Sequence, residues 1–137
     1  MYKSLENYVC NGLNGYLNHE VPFGYRLDEN NILHVHEDEA MIVREIYRLY
    51  LKWHSYQKVS EEINKTSLSW FDLKVRFSPY EVKQILLDIL YTGDYIYREY
   101  SYEGKITFEK FYPFHHDSIV PREIWNRVNN SYKNENN

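Results

Sequence analysis

The chain has 137 residues, 43% of them hydrophobic, with a single cysteine and a formal net charge of −4. That length suits one domain with enough apolar content for a core. Cys10 alone excludes a disulfide framework or a multi-cysteine zinc site within the chain, no apolar run approaches the roughly 18 residues of a membrane span, and the acidic balance argues against bulk electrostatic affinity for DNA. A reduced, cytoplasmic setting is the default that follows. Aromatics make up 18%, with 15 Tyr; a ring with a hydroxyl at one end suits a partly exposed sheet.

Residues 2–13 carry Leu5, Val9 and Leu13 at helical spacing, and residues 14–20 read as loop. Val21 to Leu27 runs from a turn into a strand, Asp28-Glu29-Asn30-Asn31 is turn chemistry, and Ile32 to His36 is its partner. The expectation is a β-hairpin over 23–36. From 38 to 53 the period becomes helical: Val43, Ile46, Tyr47 and Tyr50 share one face, and Arg44, Arg48 and Lys52 line another. That basic stripe is either a contact surface or a solvated face on which Arg44 and Arg48 pair with Glu37 or Glu45. Ser55 caps a further helix, 56–64, packed through Tyr56, Val59 and Ile63. Residues 65–77 read as a loop anchored by Trp70-Phe71.

The segment from Phe77 to Asp94 is the most informative. Ser78 at the N-cap, Pro79 at the first helical position and Glu81 three residues after the cap form a helix start signal. Val82, Ile85, Leu86 and Ile89 recur at i, i+3, i+4 and i+7, predicting a helix over 79–90 with one apolar face. The opposite face carries Tyr80, Lys83, Gln84 and Leu87. After Gly93, residues 95–102 and 105–112 form a second hairpin over Glu103-Gly104, and Pro121 opens a last helix, 121–132, with Ile124, Trp125 and Val128 inward. The whole predicts an α+β domain of small antiparallel hairpins and about four helices. Its helix-turn-helix-like core has a connection longer than the usual three or four residues.

The chemistry-bearing residues point away from catalysis. His34 and His36 share one side of a strand and His115-His116 are adjacent, but no carboxylate or cysteine cluster is tied to them, so surface or hydrogen-bonded histidines are expected and no metal or cofactor is assigned. No serine has an activating neighbour, no His-x-x-Arg element accompanies the tyrosines, and no Gly-rich phosphate loop is present. No residue is assigned a catalytic role. Between Lys58 and Lys83 five basic residues face four acidic ones. On its own that modest patch reads as a solvated mixed surface; if the domain binds DNA, Lys74, Arg76, Tyr80, Lys83 and Gln84 within it are the candidates for contact.

Several ordered elements resemble the recombinase domain of the large serine site-specific recombinases. Pro22-Phe23-Gly24-Tyr25-Arg26 is similar to the family's Pro-Tyr-Gly-Tyr-Arg entry. Glu39-Ala40 with Val43-Arg44-Glu45-Ile46-Tyr47 and Leu49-Tyr50 resembles its first long helix, and Val59 to Asn64 its second. Ile85-Leu86 with Tyr91-Thr92-Gly93-Asp94 resembles the signature helix and following strand, and Ile119-Val120-Pro121 with Ile124-Trp125 the closing segment. The resemblance implies a central DNA-binding domain over 15–133, preceded by the end of a linking helix in 1–14 and followed by a polar tail, 134–137. It also implies double-stranded DNA as partner and, in the parent enzyme, a serine catalytic domain and a zinc-ribbon domain. Where the family has Leu-Arg-Asn-Pro, this chain has Leu86-Leu87-Asp88-Ile89, and Thr66 stands where Gly is common. Those departures remove DNA contacts or imply a different target. The alternative to a DNA-binding domain positioned on an attachment half-site is an acidic, aromatic-rich protein-interaction domain.

Overall fold

A computed structural model describes residues 21–30, 32–70 and 76–135. Among them the order is β1 (Tyr25–Leu27), β2 (Leu33–Val35), α1 (Glu37–Trp53), α2 (Tyr56–Trp70), α3 (Pro79–Leu87), a 3₁₀ turn (Ile89–Thr92), β3 (Tyr95–Tyr100), β4 (Ile106–Tyr112) and α4 (Arg122–Glu135). β1 and β2 pair antiparallel with Arg26 opposite His34, and β3 and β4 pair with Arg98 opposite Glu109 and a bulge at Glu99/Tyr100. The fold is α+β, with four helices and two small hairpins among the described residues. The helix expected at 2–13, Asn31 of the first turn, Phe71 and Lys74 lie outside them, as does the side chain of Trp70.

α1 supplies the centre of the core. His36 caps its first turn, the Glu39 N–H donating to His36 Nδ1 at 3.4 Å, and three acidic residues follow at the positive end of the helix dipole. Ala40, Ile42, Val43, Ile46, Tyr47, Leu49 and Tyr50 are buried, so the predicted face is the core face. α2, α3 and α4 all pack on α1, with Val59, Ile63, Val82, Leu86 and Val128 filling the space between. The two arginines of the basic stripe are ion-paired: Arg48 to Glu45, and Arg44 to Glu37 at 3.5 Å, with Arg44 also donating to the Ile119 carbonyl at 3.0 Å.

Five described tyrosines, Tyr95 of β3 among them, belong to the core rather than to a wet sheet. Tyr25, Tyr47, Tyr50 and Tyr91 are buried, and three hydroxyls serve distant carbonyls. Tyr25 donates to Asp117 O at 2.7 Å, Tyr47 to Ile85 O at 2.8 Å and Tyr91 to Phe23 O at 2.6 Å. A buried hydroxyl without a partner would cost the fold, so each bond is also a register pin between elements. At Gly24 (φ +106°) a Cβ would stand 2.8 Å from Ile119 Cδ1, and at Gly93 (φ +93°) 2.7 Å from His116 O. Only glycine lets these turns close onto the core.

Two helix boundaries differ from the sequence reading. α2 runs on to Trp70, six residues past Asn64, through part of the expected loop. Thr66 satisfies its hydroxyl within the helix by donating back to Glu62 O at 2.9 Å, and Lys58 and Lys65 reach Glu62 at 3.3 and 3.9 Å, ion pairs that support a stretch of modest helix formers. α3 ends at Leu87 rather than near residue 90, because the Asp88 carboxylate accepts the Leu90 N–H at 3.0 Å and starts the 3₁₀ turn, which Gly93 closes. Ile89 is therefore only half-buried.

Candidate nucleic-acid interface

α3 is a short helix held at both ends. At its start Ser78 Oγ accepts the Glu81 N–H at 3.1 Å while Glu81 Oε1 accepts the Ser78 N–H at 2.9 Å, a closed capping box. One residue earlier, Phe77 is clamped by α2: its N–H donates to Asn64 Oδ1 at 2.8 Å, and its carbonyl accepts from Asn64 Nδ2 at 3.0 Å and Ser60 Oγ at 2.6 Å. At the far end, Leu86 O accepts from Asn129 Nδ2 at 3.0 Å and Tyr47 Oη at 3.2 Å. The carbonyls that a terminating helix leaves bare are thus satisfied by α1 and α4.

Val82, Ile85 and Leu86 face the core, so the period of 3.6 residues turns the opposite stripe outward. Tyr80 is 68% exposed and Gln84 is exposed, whereas Lys83 and Leu87 are half-buried. Arg76, two residues before the cap, is exposed, with one guanidinium N–H 3.4 Å from Asn64 O. Tyr80, Lys83 and Gln84 are thus carried by one helix face, with Arg76 just before its start. Lys74 is not among the described residues.

The structure adds a recess that the sequence did not announce. Gln84 and Leu87 of α3, Asp88 and Ile89, Ile96 and Arg98 of β3, and Trp125 of α4 line a hollow of about 380 Å³. Burial pushes the Asp88 carboxyl above the usual carboxylate range. Arg98 pairs with Glu109 at 2.7 Å, and the buried Trp125 indole N–H has no hydrogen-bond partner among the described residues. Asp88 read as a departure from a pattern; in the fold it is the cap of the turn after α3. Its Asx chemistry was the available signal.

The histidines are committed elsewhere. His34 Nε2 lies 2.8 Å from Asp28 Oδ2, and His36 caps α1. His115 and His116 are buried with their Nδ1 atoms 3.0 Å apart, and His116 Nε2 donates to Leu90 O at 2.7 Å. Burial lowers His116 to about 4, against the pull of that carbonyl and with His115 adding to the drop. Among the described residues no three potential metal ligands come together.

Residues 37–135, well over half of the chain, match the family model described as Recombinase. The chain belongs to the Recombinase family. Its fold is shared with solved structures at low identity. One, described as "Sequence Requirements of the Listeria innocua prophage attP site", superposes with a TM-score of 0.60 at 23% identity, over 82% of this chain and 42% of that one. Another, described as "Crystal Structure of a LSR-DNA Complex", gives 0.60 at 20% identity, over 85% of this chain and 35% of that one. The recombinase chain therefore spans less than half the length of either. No protein of curated function matches it. The first hairpin precedes the matched segment, yet Tyr25 and Leu33 lie fully inside the recombinase core. Among the described residues of this recombinase domain, no helix is long and apolar enough to cross a membrane.

Proposed function

We propose that this chain is the DNA-binding domain of a serine site-specific recombinase, spanning about residues 15–133, and that it sets the enzyme on one half of an attachment site for integration or excision. The observation that carries the reading is α3: capped at its start, pinned to three other helices, and turning Tyr80 and Gln84 outward in a chain of the Recombinase family. Gln84 can pair bidentately with an adenine edge, and Lys83 can reach a guanine edge or a phosphate. Arg76, with Lys74, would hold phosphates beside the helix start. The printed descriptions of the two solved structures, an attP site and a DNA complex, lend the reading weight. Strand cleavage would belong to a separate catalytic domain of the parent protein, and a zinc-ribbon domain would share the grip on DNA, in the cytoplasmic compartment.

Tethered modules gain roughly 10²–10⁴ in affinity over one module alone, so the isolated chain, at net charge −4, should bind duplex DNA at about micromolar Kd. Fluorescence anisotropy on a labelled half-site and an unrelated duplex, at two salt concentrations, tests this. Lys74→Ala with Arg76→Ala should weaken binding to both duplexes alike and flatten the salt slope by up to about 2. Gln84→Ala should change preference between the duplexes more than affinity. Salt-independent or absent binding would overturn the reading. It would then favour a protein-interaction domain, for which β4 is the observation: Ile106, Phe108 and Phe111 are each about half exposed.

A further inference from the structure

The chain is acidic overall, yet its longest run without an acidic residue, Ile46 to Ser60, holds three cations, Arg48, Lys52 and Lys58. That run is the corner between α1 and α2. Trp53 ends α1 with 43% of its surface exposed, and the Lys52 and Lys58 ammonium groups lie 5.1 and 5.0 Å from its ring centroid. The corner is stiff. His54 takes a left-handed conformation (φ 49°), its N–H donates to Tyr50 O at 2.7 Å, and Tyr56 stacks on Tyr50 with centroids 5.3 Å apart. Ser55 Oγ accepts the Lys58 N–H at 3.1 Å, fixing where Lys58 leaves α2.

The local charges leave positive potential over. Arg48 is matched by Glu45, but Glu62 alone faces both Lys58 and Lys65, and Lys52 has no carboxylate within ion-pair distance among the described residues. The indole thus holds two ammonium groups at once, each about 5 Å from its ring centroid. They stand no more than about 10 Å apart, close enough for neighbouring phosphates of one duplex backbone to meet both.

Resting on the DNA-binding reading above, we propose that the α1–α2 corner is a second contact face, in which Trp53 presents Lys52 and Lys58 to the phosphates of duplex DNA. The occupant follows from charge and from attachment. α2 carries Lys58 and also, through Ser60 and Asn64, holds the residue from which α3 starts. The corner and the reading helix therefore share one rigid support, as when the first helix of a pair crosses the backbone while the second lies in the groove. Lys52 and Lys58 supply affinity without sequence preference. Trp53 is a positioning residue that keeps them from swinging free.

The test is a salt titration of the full chain on a labelled duplex. Lys52→Ala/Lys58→Ala should reduce the magnitude of the log–log slope by about 2. Between 50 and 200 mM salt the wild type should accordingly lose about 12-fold more affinity than the double variant. Preference between sequences should not change, and both proteins should melt together. Trp53→Ala should weaken binding while keeping most of the slope, and Trp53→Phe should restore affinity. Glu62→Gln, which releases Lys58 and Lys65, should tighten binding and steepen the slope. An unchanged slope in the double variant, while Arg76→Ala or Gln84→Ala still weakens binding, overturns the corner and leaves the DNA reading standing. A wild type without salt-dependent binding overturns both.

Discussion

Asn64→Ala should cost more than its half-buried position suggests, because one side chain serves both polar groups of Phe77. The Phe77 N–H donates to Asn64 Oδ1 at 2.8 Å and has no second acceptor among the described residues, whereas the carbonyl accepts from Asn64 Nδ2 at 3.0 Å and also from Ser60 Oγ at 2.6 Å. Phe77 is 5% exposed, so water cannot easily replace the lost acceptor. An unsatisfied buried donor costs about 1–3 kcal/mol, and losing one of two bonds to the carbonyl adds up to about 1 kcal/mol. The expected loss is about 2–3 kcal/mol, or roughly 8–12 °C in Tm for a domain of this size. Ser60→Ala leaves the carbonyl with Asn64 and should cost only about 1 kcal/mol. The double variant strips the carbonyl bare, so it should exceed the sum of the two by about 1 kcal/mol. Urea unfolding followed by circular dichroism measures all three, with a constant m value as the check that only stability changed. Phe77 is the residue before the cap of α3, so DNA affinity should fall with stability. An Asn64→Ala variant within about 0.5 kcal/mol of wild type, or strict additivity, would refute the clamp as the support of α3.

Ser78→Ala opens the capping box and should destabilise by about 1 kcal/mol, read as a shift in denaturation midpoint. Ile85→Ala, at a site 8% exposed on the core face of α3, should cost about 2–5 kcal/mol; an unshifted melting temperature would mean the helix is rotated from the face described. Gly24→Ala places a methyl against Ile119 at a φ of +106° and should cost on the order of 2 kcal/mol, with Gly24→Val worse. His116 is lowered to about 4 in the fold, from an ordinary value of about 6.5. Its unfolded form therefore takes up a proton first, so the stabilising contribution is complete above about pH 6.5, falls as pH drops toward 4 and totals about 3 kcal/mol. Calorimetry from pH 7.5 to 4 should show that loss, and His116→Gln, which keeps a donor for Leu90 O, should flatten it; a parallel decline in the variant would place the acid sensitivity elsewhere.

Much of this molecule was legible from neighbours in the chain. The Ser78-Pro79-Glu81 start, the core faces of α1 and α3 and both hairpins depend on hydrophobic period and on bonds spanning a few residues. Those interactions act before any tertiary contact exists, so their pattern is written locally. The outward placement of Tyr80 and Gln84 follows from the same period. Local reading failed where side-chain bonds, near or distant, outweighed propensity and period. Poor helix formers after Asn64 suggested a loop, but α2 runs to Trp70, supported by the ion pairs of Lys58 and Lys65 with Glu62. Lys83 shares the outward stripe of α3 yet is half-buried, and the recess beside Gln84 exists only because β3 and α4 arrive from the far end of the chain. The two lysines over Trp53 meet across a turn whose left-handed residue, His54, is not glycine and so gave no local signal. Hydroxyls and amides that choose carbonyls tens of residues away, as Tyr25 does with Asp117, leave no periodic trace. Packing brings such groups together, and burial then makes each bond too costly to leave unmade.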